Sequence, residues 1–175
     1  MRYALVYGAL SGVVIMVIMI TGIVLSPHGG FFSSAWFGYL VMLVALTFVF
    51  VGVKRYRDVE RGGVIKFWPA LAVGLSIAVV AGIAYALVWE VYLAMTNYVF
   101  MDNYIAGIAR HMKAEGASVQ AVAAKMAELE PYRVYYRNPL LRLPMTFMEM
   151  FPVGLLVALV SAGLLRNPRV LPAPR

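Results

Sequence analysis

The stretch Lys54-Arg55-Tyr56-Arg57-Asp58 opens a short basic segment between two long apolar runs. No Asp, Glu, Lys or Arg occurs between Arg2 and Lys54. Five Lys or Arg residues then fall within residues 54–66, and the next charge is Glu90. Membrane proteins separate charge in this way because Lys and Arg are retained in the loops on the cytoplasmic side. The segment therefore predicts a polytopic membrane protein and gives its orientation.

The composition supports this class. The chain is 63% hydrophobic and 13% charged, whereas a soluble domain is about 45–50% apolar and about 25% charged. It has no cysteine and only two histidines, His28 and His111, far apart in sequence. We therefore expect no disulfide, no metal site and no cofactor. The net charge of +7 lies at membrane edges rather than on a basic arm, so nucleic acid is not an expected partner.

Four apolar runs are long enough to cross a bilayer, which takes about 20 helical residues. They lie at residues 4–25, 35–53, 67–95 and 139–165, and we predict one all-α transmembrane domain over residues 1–175. A cleaved signal peptide is the alternative for the first run, but its apolar part is longer than the usual stretch of about 7–15 residues. Gly8, Ser11 and Gly12 share one side of this run. They either allow close approach of another helix or reflect how common glycine is in membrane helices.

Residues 96–137 form the only sizeable polar segment. Two short amphipathic helices on either side of Gly116 are expected to lie on the membrane surface or to fold back over the bundle. Nine Lys and Arg residues lie on the side of the basic segment and six on the other side. Both termini are therefore expected in the cytoplasm, with residues 96–137 outside and residues 166–175 as an unstructured cytoplasmic tail. His28, in a predicted turn at residues 26–30, is interpreted as a solvated loop residue rather than a proton relay.

A longer pattern surrounds the basic segment and returns in the last apolar run. It comprises Gly52-Val53-Lys54-Arg55-Tyr56-Arg57-Asp58, Gly62-Gly63, Phe67, Asn138-Pro139 and Thr146-Phe147-x-Glu149-x-Phe151-Pro152-Val153-Gly154. This pattern resembles a bacterial membrane family described only as domain of unknown function 4199. The resemblance covers the transmembrane frame and is weak through residues 96–136. It implies four helices in a bacterial membrane, here the inner membrane, and it supplies no activity and no catalytic residue.

Three ionisable residues lie inside the predicted spans: Glu90, Arg142 and Glu149. Such groups are functional candidates because each is costly in lipid unless it is paired or hydrated. Arg142, Thr146 and Glu149 follow the spacing i, i+4, i+7, which predicts one helix face. Pro152 also leaves the Met148 carbonyl without its helical partner. We expect either a structural network that fixes the helices, which is favoured, or a proton or ion site that titrates at Glu149.

A second candidate site is the basic segment itself. Lys54, Arg55 and Arg57 are candidate contacts for lipid phosphates, or they serve only as topology signals with an internal Arg–Asp pair. No nucleophile motif and no phosphate-binding Gly-rich loop occurs, so no catalytic residue is assigned and an enzyme is not predicted.

The predicted function is a non-enzymatic packing or interaction component of the bacterial inner membrane. It contacts anionic lipid headgroups and associates with itself or with a partner membrane protein. The alternative is a small transporter or proton-coupled carrier that uses an intramembrane carboxylate. A lipid-modifying enzyme comes third, because the chain lacks catalytic motifs.

Overall fold

The structure is a computed structural model that describes residues 1–25 and 35–173. The helices in these residues are α1 (Arg2–Leu25), α2 (Ala35–Ala45), α3 (Thr47–Glu60), α4 (Phe67–Met95), α5 (Phe100–Ala114), α6 (Val119–Arg137) and α7 (Pro139–Leu165). The predicted turn at residues 26–30, with His28, lies outside the described residues.

Four helical segments are long and apolar enough to cross a membrane: α1, α2 together with α3, α4, and α7. The prediction of a helical, multi-pass membrane protein is confirmed. The bounds of the second span differ from the predicted ones. The helix does not end near Val53 but continues to Glu60, so the basic segment begins as two further helical turns. Gly62 and Gly63, with φ of 60° and 86°, then reverse the chain, as only glycine does readily.

The second span has one irregular turn at Leu46, between α2 and α3. The Val49 N–H donates to the Leu46 carbonyl at 2.9 Å, one residue short of the α-helical partner. The Ala45 carbonyl would otherwise have accepted that N–H, and it accepts the hydroxyl of Ser11 instead, at 2.9 Å. The buried Ser11 of α1 therefore satisfies a polar group that the irregular turn exposes.

The helix α4 lies at the centre of the bundle, between α1 and α7. Small residues allow both contacts. A Cβ added to Gly12 would lie 2.5 Å from the Ala81 carbonyl oxygen, and one added to Gly74 would lie 3.0 Å from the Ala158 Cβ. The small residues of α1 therefore do permit close helix approach, which is how membrane helices gain packing contacts.

The helices α5 and α6 form a hairpin whose base contacts the end of the bundle, where Phe100 of α5 packs on Trp89 of α4 and α6 adjoins α7. Ile105 and Val122 are its buried residues, and Arg133 Nε lies 2.9 Å from Asp102 Oδ1. The helix α6 contains Pro131 and continues to Arg137. Asn138 then caps α7 by accepting the Leu140 N–H at 3.0 Å, with Pro139 in the first turn.

Different segments of the chain meet at the two ends of the bundle. At the basic end, Tyr3 donates to Glu60 at 3.1 Å, so the start of α1 meets the end of α3 beside the turn into α4. Residues 166–173 return to the same end. At the hairpin end, α4 finishes next to the start of α7 and to the α5–α6 hairpin. The N-terminal and C-terminal segments thus share one end with the basic segment.

Candidate functional site

A buried ion pair joins α4 and α7 at the hairpin end. Arg142 Nε lies 2.9 Å from Glu90 Oε2, and Nη2 lies 2.5 Å from Oε1. The Arg142 side chain is 1% exposed and that of Glu90 is 24% exposed. Two parallel hydrogen bonds of this kind match the planar guanidinium to the carboxylate. The remaining terminal nitrogen donates to the Tyr136 carbonyl, so Arg142 connects α4, α6 and α7.

Tyr98 covers the ion pair from the connection between α4 and α5. Its ring lies under the Arg142 guanidinium, 5.0 Å from centroid to Cζ, and its hydroxyl donates to Glu90 at 3.1 Å. Asn97 and Tyr98 have φ of 54° and 56°, a left-handed conformation that non-glycine residues adopt at a cost. The contacts of Tyr98 offset this cost by holding the ring over the arginine.

Tyr136, at the end of α6, is a second aromatic residue beside Arg142. The Trp89 indole N–H donates to the Tyr136 hydroxyl at 2.6 Å, and the Phe100 ring packs on Trp89 edge to face at 4.8 Å. Burial raises the pKa of Tyr136 to about 12. The phenol therefore stays neutral at pH 7 and serves as a hydrogen-bond partner rather than a base.

Glu149 does not take part in this network, although it was predicted to share a face with Arg142 and Thr146. The buried residues of α7 follow a four-residue interval: Arg142, Thr146, Met150, Gly154 and Ala158. Each four-residue step moves the buried position about 40° further around the helix in the same direction. Glu149, seven residues after Arg142, lies about 20° from Arg142 in the opposite direction. At the height of Glu149, the buried residues of α7 therefore point in a different direction from Glu149.

The structure therefore places Thr146 in the bundle, 5% exposed, and leaves Glu149 exposed on the surface of α7. The side chain of Glu149 interacts with the hydroxyl of Tyr85, a buried residue of α4. Arg142, the expected partner of Glu149, pairs with Glu90 instead. The sequence holds a signal for the observed pair, because Glu90 and Arg142 have opposite charges near the same end of two antiparallel spans.

Arg57 is the most enclosed residue of the basic segment. Its side chain is 0% exposed and its Nε lies 2.7 Å from Asp58 Oδ1. The terminal nitrogens donate to the carbonyls of Val170 and Leu171, at 2.9 Å for Val170. Residues 166–173 are therefore bound to α3 rather than unstructured as predicted. Because its side chain is fully buried and each of its three nitrogens already donates a hydrogen bond inside the chain, Arg57 does not present its guanidinium to a lipid phosphate.

The other two candidate lipid contacts differ from each other. Lys54 lies 2.6 Å from Asp58 Oδ2 with 28% of its side chain exposed, so it shares the carboxylate that Arg57 uses. Arg55 is exposed. Five further cations at the basic end are exposed as well, and sequence reasoning did not single them out as lipid contacts: Arg2, Arg61, Lys66, Arg166 and Arg169.

Two shallow surface grooves in the described part of the chain are apolar. One is lined by Val17, Ile18 and Phe37 among others, and the other by Phe50, Leu156 and Val160 among others. Neither groove includes Glu90, Arg142 or Glu149 in its lining. Within residues 1–25 and 35–173, no group of three or more His, Asp and Glu side chains is placed to hold a metal ion.

These features define a four-helix multi-pass membrane protein with an internally paired arginine at each end. The family model for "Protein of unknown function (DUF4199)" matches residues 3–167, and the chain belongs to this family. The resemblance seen around the basic segment is thereby confirmed. No curated protein and no solved structure matches the chain.

Proposed function

We propose that the protein is a non-enzymatic scaffold of the bacterial inner membrane, and that its basic end contacts anionic lipid from the cytoplasmic side. One observation carries the proposal: the basic end holds twice as many exposed cations as the hairpin, six against three in the described residues, while the buried arginines are already paired. Each Lys or Arg near an anionic membrane surface contributes about 1 kcal/mol of attraction.

The charge distribution supports this orientation. The exposed cations Arg55, Arg166 and Arg169 belong to the end that also holds Arg2, and Asp58 at this end is neutralised by Lys54 and Arg57. The opposite end carries its cations on the α5–α6 hairpin among acidic residues, as in the pair of Lys125 with Glu128. Retention of the more basic end in the cytoplasm leaves the hairpin outside.

The lipid contact is tested by the rise in the thermal unfolding midpoint of purified protein when phosphatidylglycerol replaces phosphatidylcholine in nanodiscs. In one variant Arg55, Arg166 and Arg169 are replaced by Gln. In a matched variant Arg110, Lys113 and Arg137 of the hairpin end are replaced by Gln, which removes the same charge from equally exposed positions. We expect the first variant to lose most of the rise and the second to keep it. An equal loss in both variants would exclude a lipid site at the basic end.

The second candidate function is a small proton-coupled carrier that uses Glu149. The observation in its favour is an exposed carboxylate on α7 without an ion pair to any described residue. Its test is proton uptake by purified protein in liposomes, with wild type beside Glu149→Gln. A flux that the substitution abolishes would support the carrier. Equal proton leak in both preparations and in empty liposomes would exclude the carrier and favour the scaffold function.

A further inference from the structure

The position of Glu149 along α7 fixes its depth within narrow limits. The helix has 27 residues and is therefore about 40 Å long, which exceeds the hydrocarbon thickness of about 30 Å. Glu149 is about 15 Å from the start of the helix at Pro139. Whichever part of α7 fills the bilayer, Glu149 lies about 5–15 Å inside the hydrocarbon. The exposed side chain of Glu149 borders lipid tails at that depth unless something covers it.

The surface around Glu149 offers hydrogen-bond acceptors. Pro152 has no N–H, so the Met148 carbonyl lacks its usual helical partner, and Met148 is 56% exposed. Tyr85 supplies one donor to Glu149 from inside the bundle, but a carboxylate has about four lone-pair directions. We refer to the exposed residues Met145, Met148, Glu149, Pro152 and Leu156 as the α7 outer face. This face is apolar except for acceptors, so its complement is a donor on an apolar helix.

A second copy of this chain does not provide an unpaired Lys or Arg at the depth of Glu149. The spans contain Arg and Lys only at Arg2, in the last two turns of α3, and at Arg142. Arg142 is buried with Glu90, and the others lie at the basic end. Two copies related by a two-fold axis through the α7 outer face would instead bring two carboxylates together. Charge complementarity therefore favours a different protein.

We propose that the α7 outer face docks a transmembrane helix of another protein, and that this helix carries an Arg or Lys at the depth of Glu149. Polar side chains inside a membrane are found paired in this way, because the pair removes an unmatched charge from lipid. Small and polar contacts between helices then add to the association. The proposal uses a surface separate from the basic end, so it is independent of the lipid contact.

A synthetic helix provides a direct test with the full chain. The probe is a 22-residue Leu/Ala transmembrane peptide with uncharged polar ends and one Arg at its tenth position, reconstituted with the protein in nanodiscs. Binding is read by energy transfer from a fluorophore on a cysteine introduced at Lys113, since the chain has no cysteine of its own. A peptide with Leu at the tenth position is the matched probe.

We expect wild type to bind the Arg peptide at least tenfold more tightly than the Leu peptide. Glu149→Leu should abolish that preference, and Glu128→Gln on the exposed surface of α6 should keep it. Equal binding of both peptides to wild type would overturn the proposal without reference to any variant. Self-association of wild type that Glu149→Leu abolishes would also overturn it, in favour of a second copy.

Discussion

The two buried arginines use their hydrogen bonds in the same way. Arg142 takes one carboxylate, Glu90, and one main-chain carbonyl, and Arg57 takes one carboxylate, Asp58, and two carbonyls. The carboxylate offsets the charge, and the carbonyls accept further N–H groups of the buried side chain. Because these acceptors come from different segments, each arginine fastens distant parts of the chain together. This use of the guanidinium explains why neither residue is available to an outside ligand.

Glu90→Leu should lower the free energy of unfolding by about 3 kcal/mol, since it leaves Arg142 buried without its carboxylate. The double variant with Arg142→Met should be less destabilised than Glu90→Leu alone, because an apolar pair needs no charge compensation. The measurement is the SDS-denaturation midpoint in mixed micelles. Glu128→Leu, at an exposed site of α6, is the control and should stay within about 0.5 kcal/mol of wild type. Strict additivity of the two single effects would show that the residues are uncoupled.

Arg57→Ala should reduce stability by about 2 kcal/mol or more, because it removes charge-assisted hydrogen bonds worth about 1.5–3 kcal/mol. It should also release residues 166–173, whose carbonyls it holds. Hydrogen exchange followed by mass spectrometry would report both effects. Arg55→Ala, two residues away and exposed on the same helix, is the matched control and should change neither. Unaltered exchange in the tail of Arg57→Ala would mean that other contacts hold it.

The sequence located the ionisable residues but did not predict their partners. Spacing along one helix suggested that Arg142 meets Glu149, whereas the real partner, Glu90, is 52 positions away on another helix. Periodicity describes an isolated helix. It does not show that α7 packs on α4 along residues four positions apart, a row that turns gradually around the helix. The tail was judged unstructured from its prolines, because no local pattern reveals that Arg57 donates hydrogen bonds to its carbonyls.

At the scale of the helices, close packing along α4 organises the bundle. Its small residues meet glycines of α1 on one side and small residues of α7 on the other. In lipid the hydrophobic effect does not drive such contacts, so close van der Waals approach supplies much of the attraction. The glycine spacing in α1 was visible in the sequence, and its interpretation as a packing surface agrees with the structure. The helix on which it packs was not predictable from α1 alone.

Gly12→Ala should destabilise the bundle by about 1–3 kcal/mol, as overpacking does in close contacts. The new Cβ would meet main-chain atoms, 2.5 Å from the Ala81 carbonyl oxygen and 2.9 Å from the Tyr85 nitrogen, and these cannot move independently of α4. Gly163→Ala is a control with the opposite expected sign. Nothing lies within 4 Å of its added Cβ, so it should stabilise α7 by about 0.5–1 kcal/mol. Thermal midpoints in nanodiscs would separate the two, and equal midpoints would refute close packing at Gly12.

At the scale of the whole molecule, the chain separates two kinds of surface. The basic end gathers exposed cations around a tail held by Arg57, and the hairpin end holds the ion pair of Glu90 and Arg142 beneath α5 and α6. The four spans were predictable because an apolar run of about 20 residues indicates a membrane-spanning helix and few other structures. The two helices on either side of Gly116 were predictable as well, but their packing against each other was not, because no local pattern shows that Arg133 pairs with Asp102.

The orientation of the two ends gives the last prediction. A fluorescent protein fused after Arg175 should fold and fluoresce, since it matures in the cytoplasm, and alkaline phosphatase inserted at Gly116 should be active, since it needs the oxidising exterior. Gly116 lies in the exposed turn between α5 and α6, so an insertion there leaves the four spans and both arginine clusters intact. The excess of Lys and Arg at the basic end is the physical reason for this direction. Phosphatase activity at the C-terminus together with fluorescence from an insertion at Gly116 would reverse the orientation, and the lipid contact would then have to be sought in the outer leaflet.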